Sequence, residues 1–350
     1  MPTERANAVP AASCEIAPLL RVEDLCVDVA GEWGTVRVVD EVRFEIGRGE
    51  CLALVGESGC GKSLTALALM SLLPSAARVA GGRIVLNGID LLSRPESERR
   101  AVRGRRMAMI FQEPATALNP LMTAGAQVAE ALAVHCPEAA RTRRARREAV
   151  LAMLERVRLT DPAACIDRYP HQLSGGQRQR VMIAIALAGG ADLLIADEPT
   201  TALDVTVEAE ILSLLGELRR TAGLALLFIT HDLDVVSVVA DRVAVIYAGR
   251  IVEQGPSDTV FSRPLHPYTS GLVACVPRID PGDGPTGQAG RRAPLPQIEG
   301  VVAQPGARPG GCRFHPRCSL GRDDRQCREE EPGVTRHPGG REARCWKVEP

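Results

Sequence analysis

Short apolar runs recur along the chain, and each ends on polar residues. Cys51-Leu52-Ala53-Leu54-Val55 leads into Gly56, and Met107-Ala108-Met109-Ile110-Phe111 into Gln112. Ala191 to Ala196 leads into Asp197-Glu198, and Leu224 to Ile229 into Thr230-His231-Asp232. Runs this short, separated by stretches of helical periodicity, predict strands buried on both faces of a mostly parallel sheet. Val243 to Tyr247 and Arg250 to Glu253 are expected to close it. Upstream, from Leu19 to about Ile46, the pattern alternates, with Val42, Phe44 and Ile46 against Arg43 and Glu45. That is the mark of a half-buried strand, and Leu20 to Leu25 can pair with it. Gly81 to Gly88 reads as a hairpin with a short returning strand, and residues 95–106 as a solvated helix. From Glu113 to about Tyr169 the period is helical, with a basic face over Arg141 to Arg158 that reads as solvated. From about Val276 to Gly310 the composition turns to Pro, Gly and Arg, which reads as a linker with little core of its own. The result is an α/β fold whose chemistry gathers at the carboxyl ends of the strands.

Composition narrows the partners. Lys and Arg number 42 against 43 Asp and Glu, so no global charge calls for nucleic acid or an anionic membrane. Aromatics are 3% of the chain, too few for base-stacking platforms. No apolar stretch reaches the about 18 residues that span a bilayer. The stretch from Met1 to Pro18 lacks a basic-then-apolar leader pattern and reads as a disordered lead-in. The protein is therefore expected to be cytosolic or peripheral. Of 11 cysteines, seven are scattered, several of them in apolar runs, where a small buried hydrophobe is the default. The other four crowd together between Cys312 and Cys345, near the end of the chain.

The densest chemistry follows the first apolar run. Gly56-Glu57-Ser58-Gly59-Cys60-Gly61-Lys62-Ser63 fits the phosphate-loop pattern between a strand and a helix that starts near Leu64. Glycines let the backbone aim N–H groups at phosphate oxygens, at the positive end of the following helix. Lys62 is placed to neutralise the β- and γ-phosphates, and Ser63 to put its hydroxyl on Mg²⁺. Asp197, closing an apolar strand, is expected to bind Mg²⁺ through water, while Glu198 polarises the attacking water. Gln112 can offer its amide oxygen to Mg²⁺ or to that water, and His231 can reach the γ-phosphate. A second glycine stretch, Leu173-Ser174-Gly175-Gly176-Gln177, also feeds a helix N-terminus that can receive phosphate oxygens. Trp33 stands at a loop tip, either as a packing cap or as a stacking face for adenine.

Taken together, Gly56 to Ser63, Gln112, Leu173 to Gln177, Leu193 to Glu198, Glu198 to Asp204 and Thr230 to Asp232 resemble the nucleotide-binding subunits of ABC transporters, in the family's order. The resemblance implies a phosphate-loop ATPase core with an antiparallel β subdomain, a helical subdomain near residues 113–172 and a small Cys-rich C-terminal extension. The ATPase domain is expected over 19–262 and the extension over 263–350. It also implies a head-to-tail dimer. Each ATP lies between one subunit's phosphate loop and the other's Ser174-Gly175-Gly176, with Gln177 and the D-loop Asp204 alongside. The position of Trp33 ahead of Gly56 is similar to that of the family's adenine-stacking aromatic.

Phe111-Gln112-Glu113-Pro114, Leu118-Asn119-Pro120, His266-Pro267-Tyr268-Thr269 and Gly311 to Cys318 resemble the oligopeptide/dipeptide importer branch. That likeness implies a homologous ATPase partner, two membrane permeases and an extracytoplasmic solute-binding protein, with this chain at the cytoplasmic face of the membrane. The permease's coupling helix is expected on residues 113–130. Nickel chelates and sugars remain open beside peptides as solutes. A soluble ABC ATPase acting on ribosomes or DNA fits less well, since such chains usually carry two cassettes or a coiled-coil insertion. A regulatory subunit without turnover fits poorly with intact Glu198 and His231. Cys312, Cys318, Cys327 and Cys345 have neither the tight C-x₂-C pairs of zinc ribbons nor the bacterial ferredoxin spacing. Four thiolates in a region poor in apolar residues still suggest a metal staple. The resemblance favours a 4Fe–4S cluster; zinc and metal-free cysteines stay open, with His315 and His337 as spare ligands.

Overall fold

Residues 17–31, 34–201, 203–276 and 296–349 are described by the computed structural model. The four apolar runs become the central strands Cys51–Val55, Met107–Ile110, Leu193–Asp197 and Ala225–Thr230, every residue of them buried. They pair in parallel, with 107–110 beside 193–197, then 225–230, then 51–55. Arg242–Tyr247 continues the sheet parallel to 51–55, and Arg250–Pro256 turns back antiparallel. Parallel pairing brings Gly56, Gln112, Glu198 and His231 to one edge, because each follows a strand of the same direction.

Alternation along these strands divides the interior. Leu52, Leu54, Leu193, Ile195, Leu227 and Ile229 face a core shared with the strands Leu20–Gly31 and Gly34–Ile46 and the helix Lys62–Leu69. Leu194, Ala196, Leu226 and Phe228 face the opposite core, built with the helices Ala124–His135, Arg143–Arg156, Gly175–Leu187 and Val205–Ala222. The period of two along a strand makes this two-sided burial possible. The alternating N-terminal segment forms an antiparallel sheet of its own with Ala77–Leu86 and the short return Ile89–Asp90. The charged stretch at 95–106 contributes the helix Glu96–Val102, which has no buried residue. The helical region breaks into separate pieces where Thr123, Thr142 and Asp161 accept N–H groups as N-caps. Its basic face is exposed, with Arg144 paired to Glu148 and Arg147 to Asp167.

The C-terminal region departs from the sequence reading. Arg250–Pro256 does not close the sheet: the tail strand Arg341–Ala343 pairs antiparallel with it and forms a hairpin with Thr335–His337. The described end of the expected linker is docked on the core, where Ile298 and Val302 pack and Arg308 donates to the Val38 carbonyl at 2.8 Å. Phe314 is only 3% exposed and stacks edge-on against Tyr247 at 5.2 Å, with Tyr268 at 5.4 Å. Charge completes the attachment. Buried Glu253 accepts from the Leu265 and His266 N–H groups and from Arg341, at 3.0, 2.8 and 2.8 Å. Asp40 gathers Arg250, Arg308 and Arg313. Burial pushes the Asp40 carboxyl up, but Arg313, Arg250 and Arg308 more than offset it and hold it below the usual range. His266 is pushed down to about 3 by complete burial and accepts the Tyr268 N–H as a neutral ring. No helix among the described residues is long and apolar enough to cross a membrane.

Candidate functional site

The phosphate loop leaves the strand Cys51–Val55 at Gly56, where φ is +158° and a Cβ would stand 2.2 Å from the Ile246 carbonyl oxygen. Glycine is thus required by close packing as much as by phosphate. Cys60 is buried, and burial pushes its thiol up, so it packs rather than reacts. Ser58 and Gly59 are exposed at the loop's tip, while Gly61 caps the helix Lys62–Leu69 in the left-handed region. Leu64, half-buried, packs on the core beneath. Lys62 is 6% exposed, and its Nζ donates to the carbonyls of Gly56 at 2.6 Å and Glu57 at 3.1 Å.

The two acids are held differently. Asp197 is buried and accepts from Ser63 Oγ at 3.2 Å. Burial pushes its carboxyl up, Ser63 opposes that, Glu198 adds to it and Lys62 opposes it. Glu198 adopts φ +47°, an unusual conformation for a non-glycine residue, directly after the strand. Its Oε2 accepts from Gln112 Nε2 at 3.1 Å and Thr201 Oγ1 at 3.0 Å, and its Oε1 lies 3.3 Å from His231 Nδ1. Gln112, Glu198 and His231, brought in from three strand ends, therefore form one connected group beside Lys62, Ser63 and Asp197.

The remaining candidates stand apart from that group. Ser174 is the N-cap of the helix Gly175–Leu187, in a reciprocal capping box with Gln177. Asp204 caps the helix Val205–Ala222 through the Val207 N–H at 2.9 Å. A Cβ at Gly175 would stand 3.5 Å from Leu203 Cδ2, so the signature and D-loop segments adjoin. The Trp33 expectation lies outside the described residues. Two residues absent from the sequence-derived set touch the phosphate loop: Tyr268 accepts the Glu57 N–H, and Arg317 pairs with the Glu57 carboxylate. Both lie in stretches marked only by resemblance, and nothing local predicts contacts between segments so far apart along the chain.

The four tail cysteines converge without forming a simple metal site. Cys318, Cys327 and Cys345 are buried and Cys312 is half-buried. Burial pushes the Cys312 and Cys327 thiols up to about 11, and the other three thiols push Cys312 further. Among the described residues, no group of three or more His, Cys, Asp or Glu is placed to hold a metal ion.

Comparison with known proteins decides the family. Residues 39–201 match the model for ABC transporters, and residues 252–327 that for the C-terminal region of oligopeptide/dipeptide transporters. A putative peptide import ATP-binding protein of Brucella abortus is 46% identical over 95% of this chain and 96% of its own length. The chain belongs to the ABC transporter ATPases. This ABC ATPase is also 43% identical to the dipeptide transport ATP-binding protein DppD of Escherichia coli, over 93% of this chain and 96% of that protein. A dimeric ATP-binding cassette solved in a post-hydrolysis state with ADP and Pi matches with a TM-score of 0.62 and 26% identity, covering 68% of this chain and 98% of that one. The family assignment and this solved cassette agree with the α/β core expected from the sequence.

Proposed function

We propose that this ABC ATPase hydrolyses Mg-ATP to power peptide import, as a peripheral subunit at the cytoplasmic face of a membrane transporter. The observation that carries the hydrolytic part is the Glu198 carboxylate, fixed by Gln112, Thr201 and His231 next to Lys62, Ser63 and Asp197. In this reading Lys62 exchanges the Gly56 and Glu57 carbonyls for phosphate oxygens. Ser63, Asp197 and Gln112 offer the hard oxygen donors that suit Mg²⁺, which neutralises developing charge on the phosphates when bound. Glu198 orients and polarises the lytic water, and His231 steadies the γ-phosphate. Ser174, Gly175, Gly176, Gln177 and Asp204 serve the ATP of the opposing subunit. The likeness to peptide importers, over nearly the whole chain including the tail, supports the solute and the companion ATPase, permeases and solute-binding protein.

The test is reconstitution. Alone, the chain hydrolyses ATP slowly; with a companion ATPase and two permeases in proteoliposomes, turnover rises, and dipeptide-loaded binding protein raises it again with uptake of labelled dipeptide. A monomeric chain at full rate overturns the shared-site mechanism. Coupled turnover that moves another solute but no peptide overturns the peptide assignment.

For the tail, the finer reading is an iron–sulfur cluster on Cys312, Cys318, Cys327 and Cys345. What supports it is the donor set: four cysteines, three of them buried, with the other three close enough to Cys312 to push its thiol up. At Gly321 a Cβ would stand 2.9 Å from Cys327 Sγ and 3.5 Å from Cys318 Sγ, so a side chain there would crowd the sulfurs. The cluster, when bound, supplies a structural cross-link and no part of phosphoryl transfer. Anaerobically purified protein is expected to be brown, to absorb near 400 nm and to hold about four irons per chain. Colourless protein with one zinc, or with no metal from iron-replete cells, refutes this reading.

A further inference from the structure

Glu57, the second residue of the phosphate loop, is held through three of its groups, two of them by residues of the C-terminal region. Its N–H donates to Tyr268 Oη at 2.9 Å. Its carboxylate oxygens receive Arg317 Nη1 at 3.0 and 3.1 Å. Its carbonyl receives Lys62 Nζ at 3.1 Å.

These holders are rigid. The Arg317 side chain is 6% exposed, with Nε on the Glu299 carbonyl at 2.9 Å, Nη2 on the Ile298 carbonyl at 3.3 Å and the guanidinium 5.8 Å above the Tyr247 ring. Tyr268 is fully buried, its ring 4.6 Å from Tyr247, and burial pushes its ionisation up, which keeps it a neutral phenol. An exposed ion pair contributes little because both partners are mobile and solvated. Here the arginine is already immobilised, and it grips the backbone segment from which phosphate-binding N–H groups are presented.

We propose that Arg317 and Tyr268 are positioning residues for nucleotide binding: they fix Glu57, and with it the loop, so that affinity for Mg-ATP depends on the docked tail. This rests on reading the loop as an ATP site. A loop held in place before the nucleotide arrives loses less conformational freedom on binding, so the effect falls on affinity rather than on the chemical step.

The test uses the full-length chain with Mg²⁺ and a fluorescent ATP analogue, and KM and kcat in the assembled transporter. Arg317→Gln is expected to weaken binding by about tenfold and to raise KM in step, with kcat at saturating ATP unchanged. Glu57→Gln weakens binding similarly, and the double variant is no worse than either single one, because both remove the same coupling. Tyr268→Phe, which deletes one oxygen and keeps the ring, weakens binding about threefold. Unchanged affinity in Arg317→Gln, or a double variant whose loss is the product of the single losses, overturns the proposal. If Arg317→Gln releases the tail, seen as new protease cleavage beyond residue 296, Tyr268→Phe decides: unchanged affinity overturns it and reduced affinity supports it. Failure of the unsubstituted chain to bind Mg-ATP overturns the site assignment itself, and this proposal with it.

Discussion

Glu198→Gln keeps Mg-ATP binding and lowers turnover of the assembled transporter by about 10²-fold or more. The substitution is nearly isosteric, so Gln112, Thr201 and His231 keep a partner at 3.0 to 3.3 Å and the group's shape survives. What is lost is the negative charge that polarises water, and with it the proton-accepting capacity of the site. Binding depends instead on Lys62, Ser63 and the loop backbone, which Glu198 does not touch. ATP should therefore accumulate unhydrolysed in a closed dimer, detectable by size-exclusion chromatography with bound radiolabelled ATP. Near-normal turnover of the variant removes Glu198 from the mechanism.

The second large effect lies at the other end of the γ-phosphate. Lys62→Ala is expected to weaken Mg-ATP binding about 10²-fold, read by equilibrium binding of a fluorescent analogue. The ammonium is 6% exposed and reaches two backbone carbonyls of its own loop, so it is held close to where phosphate oxygens would lie. Removing it deletes the one cation between Gly56 and Ser63 and leaves the Gly56 carbonyl without that donor. The two variants differ in kind: one binds without turning over, and the other fails to bind. Equal affinity in Lys62→Ala and the unsubstituted chain refutes the role given to the ammonium.

How much of this was legible in the sequence depends on how local the cause is. Buried strands announce themselves through runs such as Leu193 to Ala196, and a parallel sheet then has to deliver Gln112, Glu198 and His231 to one edge. The helix start after Leu173 is a short-range signal too, and the structure adds that Ser174 caps it. From the sequence the tail reads as thinly packed, because its apolar residues are few when counted locally. Its attachment instead comes from single residues inserted into sites prepared far upstream. Phe314 enters the ring cluster of Tyr247 and Tyr268, Arg313 reaches Asp40 and Arg317 reaches Glu57. No window along the chain contains both halves of such a contact. Thr201 was visible as part of a motif, yet its hydroxyl's bond to Glu198 follows only from the turn after the strand.

The tail hairpin also changes how the molecule meets its neighbours. Without Arg341–Ala343, the strand Arg250–Pro256 would present its outer N–H and carbonyl groups as a bare border. Such a border recruits the next extended segment it encounters, whether from a partner or from another copy of the same chain. Arg344 extends the cover by donating its N–H to the Val252 carbonyl at 2.8 Å. The hairpin from Thr335 to Ala343 thereby occupies that border at Glu253 and Gln254, on the side of the sheet opposite Met107–Ile110, and leaves the short strand Thr335–His337 as the outermost one.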